Sequence, residues 1–196
     1  MQSGATLGRL IQRAAPARAD ERCDLCGAPL PETHRHVLDV PADELRCACQ
    51  ACGLLFEREA AAQGQYRLVP RRRLRLDAGP GHAELGVPVG LAFFVARPDG
   101  TVLVRYPSPV GATTWECDDA AWARLRARWP QLDDVAPSVE ALLVNAARGR
   151  SEYWIVPIDD CYRLVAVVRE HWKGLSGGRE VWPAVDQFFA ELGKEP

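Results

Sequence analysis

Five of the seven cysteines fall between Cys23 and Cys52, and two of the four histidines lie among them. The segment reads Cys23-Asp24-Leu25-Cys26-Gly27, then His34-Arg35-His36, then Cys47-Ala48-Cys49-Gln50-Ala51-Cys52-Gly53. This is the arithmetic of metal ligands. A Cys-x-x-Cys-Gly turn sets two thiolates on one side of a tight loop, and its glycine lets the chain pass the metal with φ > 0. Two such turns, Cys23/Cys26 and Cys49/Cys52, supply four sulfurs for one tetrahedron. The 22 residues between the turns match the spacing of a zinc ribbon. Zinc suits a closed four-thiolate site. A single iron in a rubredoxin-like centre uses the same spacing, although Asp24 and Gln50 stand where rubredoxin knuckles often carry proline. A module of about 40 residues buries too little surface to fold alone, so metal binding and folding are expected to be coupled.

His34, His36 and Cys47 exceed the needs of one tetrahedron. Seven ligands suffice for two tetrahedra sharing a bridging thiolate. Alternatively, the four knuckle cysteines hold one metal while His34, His36 and Cys47 make a second site with an open position, suited to nickel, iron or exchangeable zinc. The plainer alternative is that the histidines donate hydrogen bonds to cysteine sulfur or decorate a strand surface.

The elements that must position these groups follow from periodicity. His34, His36, Leu38 and Val40 alternate with Arg35, Val37 and Asp39, a strand pattern. Pro41-Ala42-Asp43 makes a turn, and Leu45, Cys47 and Cys49 share one face of the return strand. The chain therefore divides into residues 1–20, a short helix or disordered arm; residues 21–57, a zinc-ribbon-like metal module; and residues 66–193, an α+β domain. The expected class is α+β: the metal module followed by a mainly antiparallel sheet with flanking helices.

In the larger domain, Tyr66–Pro70 and Arg71–Leu76 read as one extended strand. Val89–Arg97 and Thr101–Tyr106 flank Pro98-Asp99-Gly100, a hairpin signal. Asp118 caps a helix running to Trp129, striped by Trp122, Leu125 and Trp129. Ser138 is expected to cap another helix through Ala146. Tyr153–Ile158 and Tyr162–Arg169 read as strands around an Asp159-Asp160 turn. Arg179–Leu192 closes the chain as a helix with Val181, Val185, Phe188 and Phe189 inward.

Other candidate groups are weaker. Arg71, Arg72, Arg73 and Arg75 can dock an acidic partner or protect an edge strand by charge. Asp159-Asp160-Cys161-Tyr162 sets carboxylates beside a thiol, but like charge raises a thiol pKa, the wrong direction for a nucleophile. The corner reads better as a turn with a buried cysteine. Lys173–Gly178 lacks the full phosphate-loop pattern and reads as a flexible connection. Pro107–Trp115 is expected to be a surface loop that a partner contacts, and the remaining tryptophans are mostly core. No catalytic constellation emerges, so a non-enzymatic role is favoured, with an enzyme using His34, His36 and Cys47 left open as a weaker reading.

A net charge of −2 with 26% charged residues argues against general nucleic-acid binding. The longest apolar run, Leu85–Ala96, is broken by Pro88 and is shorter than the roughly 20 residues a bilayer needs. No signal-peptide pattern opens the chain. Clustered thiols fit a reducing compartment, so a cytoplasmic protein is expected.

Taken together, the chain resembles a known family from Cys23 to about Leu192. The resemblance rests on the Cys23–Gly27 turn, the His34/His36 pair, the Cys47–Cys52 run, Gly86–Phe94, Tyr106-Pro107-Ser108-Pro109, Val156–Tyr162 and His171–Gly178. That family is a domain of unknown function encoded beside actinobacterial-type, high-affinity nickel–iron hydrogenases. It implies a context, hydrogenase assembly or operation, with a hydrogenase subunit or maturation factor as the protein partner. It implies no mechanism. Three functions are therefore expected in order: a non-catalytic zinc-binding accessory protein, a rubredoxin-like iron electron carrier, and a metal-delivery factor using His34, His36 and Cys47.

Overall fold

The computed structural model describes residues 21–57, 65–77, 79, 90–174 and 178–194. The expected arm at 1–20 and the centre of the Lys173–Gly178 connection lie outside the described residues. The chain forms two compact units that divide between Pro70 and Arg71.

The first unit carries a three-stranded antiparallel sheet. Strand β1 (Arg35–Asp39) sits between β2 (Glu44–Ala48) and β3 (Tyr66–Leu68). The β1–β2 register places His36 opposite Cys47 and Leu38 opposite Leu45. Helix α1 (Gln50–Leu54) follows β2 directly, with Cys49 at its N-cap. The core is small: Val37, Leu38, Leu45, Ala48 and Val69, together with Cys23 and Cys47. Tyr66–Leu68 belongs here rather than to the larger domain, because it completes the β1 edge and Val69 N–H then donates to His36 O at 3.0 Å. The single strand expected over residues 66–76 is thus split between two sheets.

The second unit is a six-stranded antiparallel sheet in the order β4-β9-β8-β5-β6-β7. Its strands are β4 (Leu74–Arg75), β5 (Leu91–Ala96), β6 (Val102–Ser108), β7 (Gly111–Glu116), β8 (Glu140–Asn145) and β9 (Glu152–Pro157). Helix α2 (Asp119–Arg128) and a 3-10 turn (Pro130–Asp134) cover one face, where Leu125, Trp129 and Leu132 meet Ala92, Phe94, Val104, Leu142, Val144 and Ile155. Helix α3 (Ile158–His171) crosses the strands on the other face, where Tyr162 meets the edge of the Phe93 ring, and α4 (Val181–Leu192) packs on α3. Neighbouring Phe93 and Phe94 thus serve opposite faces, the period-2 signature of a sheet covered on both sides.

Several local expectations hold for stated reasons. Asp118 accepts from Ala121 N–H at 2.9 Å and starts α2. Asp99 accepts from the Thr101 N–H and hydroxyl and fixes the β5–β6 turn, where Gly100 takes φ +88°. The four expected inward residues of α4 are all buried. Gly90 enters β5 with φ +69°, and a Cβ there would fall 2.7 Å from the Ala147 backbone, so only glycine fits.

Three local expectations are corrected. Residues 140–145 form strand β8, not a helix: every one of its side chains is buried between β5 and β9, so no amphipathic period marks it. Tyr162–Arg169 is helical, because Ile158, Cys161, Tyr162, Val165 and Val168 line one buried stripe at helical spacing. The Asp159-Asp160 pair is accordingly the first turn of α3, where carboxylates favour the helix dipole. Finally, Pro107–Trp115 is a β-hairpin: Pro107 pairs with Ala112 and Val104 with Trp115.

Candidate metal centre

The first Cys-x-x-Cys turn is closed by its own backbone. Gly27 N–H donates to Cys23 O at 2.9 Å, Cys23 N–H donates to Ala28 O at 2.8 Å, and Gly27 takes φ +74°. Asp24 bolts this turn to β2 in both directions. Its N–H donates to Cys47 O at 2.8 Å, and its carboxylate accepts from Cys47 N–H at 2.7 Å. The second turn is the start of α1, where Gly53 N–H donates to Cys49 O at 2.9 Å and Cys52 N–H points at Cys49 Sγ at 3.4 Å. Gly53, unlike Gly27, lies inside the helix without a positive φ, and a Cβ there would stand 3.3 Å from the Arg35 side chain on β1, a tight approach.

These two turns bring the Sγ atoms of Cys23, Cys26, Cys49 and Cys52 within 4.8 Å of one another. A tetrahedral metal with sulfur at about 2.3 Å requires sulfur–sulfur edges of about 3.8 Å. Cys26 Sγ and Cys49 Sγ stand 3.7 Å apart. The donor set therefore fits a metal ion.

Electrostatics point the same way. Burial opposes ionisation of Cys23, but backbone hydrogen bonds from Cys49, Leu25 and Cys26 outweigh it and lower the thiol to about 6. Cys52 is pushed up to about 12, first by burial and then by the surrounding thiols of Cys26, Cys49 and Cys23. Four sulfurs this close do not all ionise unaided, and a dication among them removes the repulsion.

The cluster of His34, His36 and Cys47 is also assembled: their ligand atoms all lie within 4.8 Å of one another. His36 and Cys47 face each other across the β1–β2 ladder, and the His34 and His36 rings stand 4.9 Å apart. The periodicity of 34 and 36 made the shared face legible. Nothing in the sequence announced that the Pro31 carbonyl meets His34 Nδ1 at 3.1 Å, or that Asp24 holds the Cys47 backbone.

A family of unknown function, DUF5947, matches residues 22–196. The chain belongs to this family. The match spans the cysteine unit and the six-stranded unit alike. No curated protein and no solved structure matches it.

In this DUF5947 chain the arginine run lies at the β4 edge, but two of its four members serve the fold. Arg72 Nε and Nη2 fork onto Glu140 at 2.9 and 2.8 Å. Arg73 forks onto Asp160 at 2.6 and 3.0 Å. Arg75 lies over the Trp154 ring, 5.6 Å from its centroid. As docking groups, Arg72 and Arg73 would first have to give up buried carboxylates. Arg71 and Arg75 are exposed.

Asp160 and Cys161 do not form a reactive pair. Burial, then Asp160 and Asp159, push the Cys161 thiol well above its ordinary value. His171 sits at the far end of the same helix, about 15 Å along its axis from Cys161 at 1.5 Å per residue. No helix among the described residues is long and apolar enough to cross a membrane.

Proposed function

We propose that this protein is a non-catalytic, cytoplasmic, zinc-binding accessory factor that acts through protein contacts in the assembly or operation of a nickel–iron hydrogenase. The observation that carries the structural-metal part is the four-sulfur cluster, in which the protein supplies every corner of the tetrahedron and leaves no position for a substrate. A zinc-ribbon-like role follows, with the metal holding the small unit together. The hydrogenase context is supported by the sequence resemblance.

Exposed apolar side chains support the docking role. Strand β7 is an outer strand of its sheet and carries Trp115, 64% exposed, while Val110 at the hairpin tip is 89% exposed. An open edge with a large apolar side chain accepts an added strand from another protein. Arg71 and Arg75 remain available at the opposite edge.

One observation favours a rubredoxin-like iron as the second reading: Cys26, a corner of the cluster, is exposed. A surface thiolate would bring an iron within reach of an electron partner.

Two measurements test these readings. Anaerobically purified protein is expected to carry zinc at the four-thiolate site and to be colourless. Iron with a red visible band would replace the accessory reading with the electron carrier. Separately, immobilised protein is expected to retain purified hydrogenase subunits or maturation factors, and Trp115→Glu is expected to abolish retention. Stability should shift by no more than about 0.5 kcal/mol, as for exposed sites in general. Failure to retain any of them, or equal retention by the variant, removes the docking role of β7.

A further inference from the structure

We infer that His34, His36 and Cys47 form a second metal site, distinct from the four-thiolate cluster, with three protein ligands and one open position. It would take a divalent late transition ion of borderline softness, of the cobalt, nickel or zinc type.

Three observations carry this. The ligand atoms already converge within 4.8 Å. Register explains why: His36 and Cys47 are direct cross-strand partners, so their side chains share a face, and His34 lies two residues before His36.

The second observation is the partner of His34 Nδ1. This nitrogen stands 3.1 Å from Pro31 O. A carbonyl only accepts, so Nδ1 carries the proton and the neutral ring keeps its lone pair on Nε2. This is the arrangement seen in metal-binding histidines, where a backbone carbonyl on one nitrogen aims the other at the ion.

The third is that His34 Nε2 is buried with no hydrogen-bond partner. An orphaned buried acceptor costs about 1–3 kcal/mol, and a bound cation would satisfy it.

The donor set also sets the character of the site. Two neutral imidazoles and one thiolate leave a dication with net positive charge, so the fourth position accepts water or an anionic ligand. The four-thiolate cluster supplies all four corners of a tetrahedron and is closed. A three-ligand site between half-buried histidines exchanges its ion more readily. This site does not depend on the partner proposed above.

Cobalt(II) titration of the full chain tests it. Wild type is expected to bind two equivalents. His34→Ala and His36→Ala are each expected to lose one equivalent and keep the other, with the intense sulfur-to-cobalt band of the four-thiolate cluster unchanged. That band shows that the unit remains folded in each variant. Wild type saturating at one equivalent would overturn the inference. So would a second equivalent retained in both histidine variants, since it would sit elsewhere. Repeating the titration with nickel(II) on protein loaded with a single equivalent of zinc separates the sites: uptake of one nickel without zinc release is expected, and nickel bound only by displacing that zinc would count against a second site.

Discussion

Stripping the metal with a chelator is expected to unfold the three-stranded cysteine unit and to leave the six-stranded unit folded. Among its described residues the first unit has a core of five buried apolar residues besides two cysteines, and its strands hold only three to five residues each. Such a unit lies below the size at which burial alone sustains a fold. Structural zinc in small modules contributes about 10–16 kcal/mol, which is folding free energy because no preformed site exists in the unfolded chain. Cys49→Ala should act like chelation, since Cys49 is both a corner of the cluster and the N-cap of α1. The readout is favourable, because all six tryptophans lie at residue 115 or beyond. Tryptophan fluorescence then reports the second unit alone, while hydrogen exchange of β1 and β2 amides reports the first. Chelation is expected to expose those amides to exchange within seconds and to leave the fluorescence unchanged. Continued protection of Val37 and Leu38 would mean that the small core suffices by itself.

Much of this was legible from residue types. The duplicated Cys-x-x-Cys-Gly turn located the cluster, because metal geometry constrains ligand spacing locally. Capping at Asp118, the Asp99-Gly100 turn and the apolar stripe of α4 are local as well. The misread elements of the larger unit have separate causes. Strand β8 lies at the centre of its sheet with both faces covered, so Leu142-Leu143-Val144 shows no alternation and was open to a helical reading. Helix α3 is rich in β-branched residues, yet its buried stripe from Ile158 to Val168 follows a helical period. The ion pairs were invisible for a different reason. Arg72 and Glu140 are 68 residues apart, and Arg73 and Asp160 are 87 apart, so no local pattern links them. An arginine run that looks like a docking patch in sequence becomes, in part, a set of staples from the β4 edge into the sheet and α3.

Arg73→Ala is expected to destabilise the six-stranded unit by about 3–5 kcal/mol, the cost of leaving a buried charge without its partner. Asp160 has only 4% of its side chain exposed, and the Arg73 guanidinium meets both of its oxygens. Arg163 stands 3.3 Å from Asp160 and keeps part of the compensation, which places the effect toward the lower end of that range. The pH dependence identifies the mechanism. Burial raises the Asp160 carboxyl above its ordinary value, and the Arg73 hydrogen bond acts in the opposite direction. Without Arg73 the carboxyl must rise further. A carboxyl raised on folding binds its proton more tightly in the folded state, so its contribution is greatest below the unfolded value of about 4 and is lost as pH climbs through the folded one. The deficit of Arg73→Ala should therefore be smaller near pH 5 than near pH 7.5, about one unit above the unfolded carboxyl value against more than three. Adding Asp160→Asn removes the stranded charge, so the double variant should be more stable than Arg73→Ala alone at neutral pH. Urea unfolding followed by tryptophan fluorescence at both pH values measures all three proteins. A loss below about 1 kcal/mol that is equal at both pH values would show an ordinary surface pair, of the kind that contributes little.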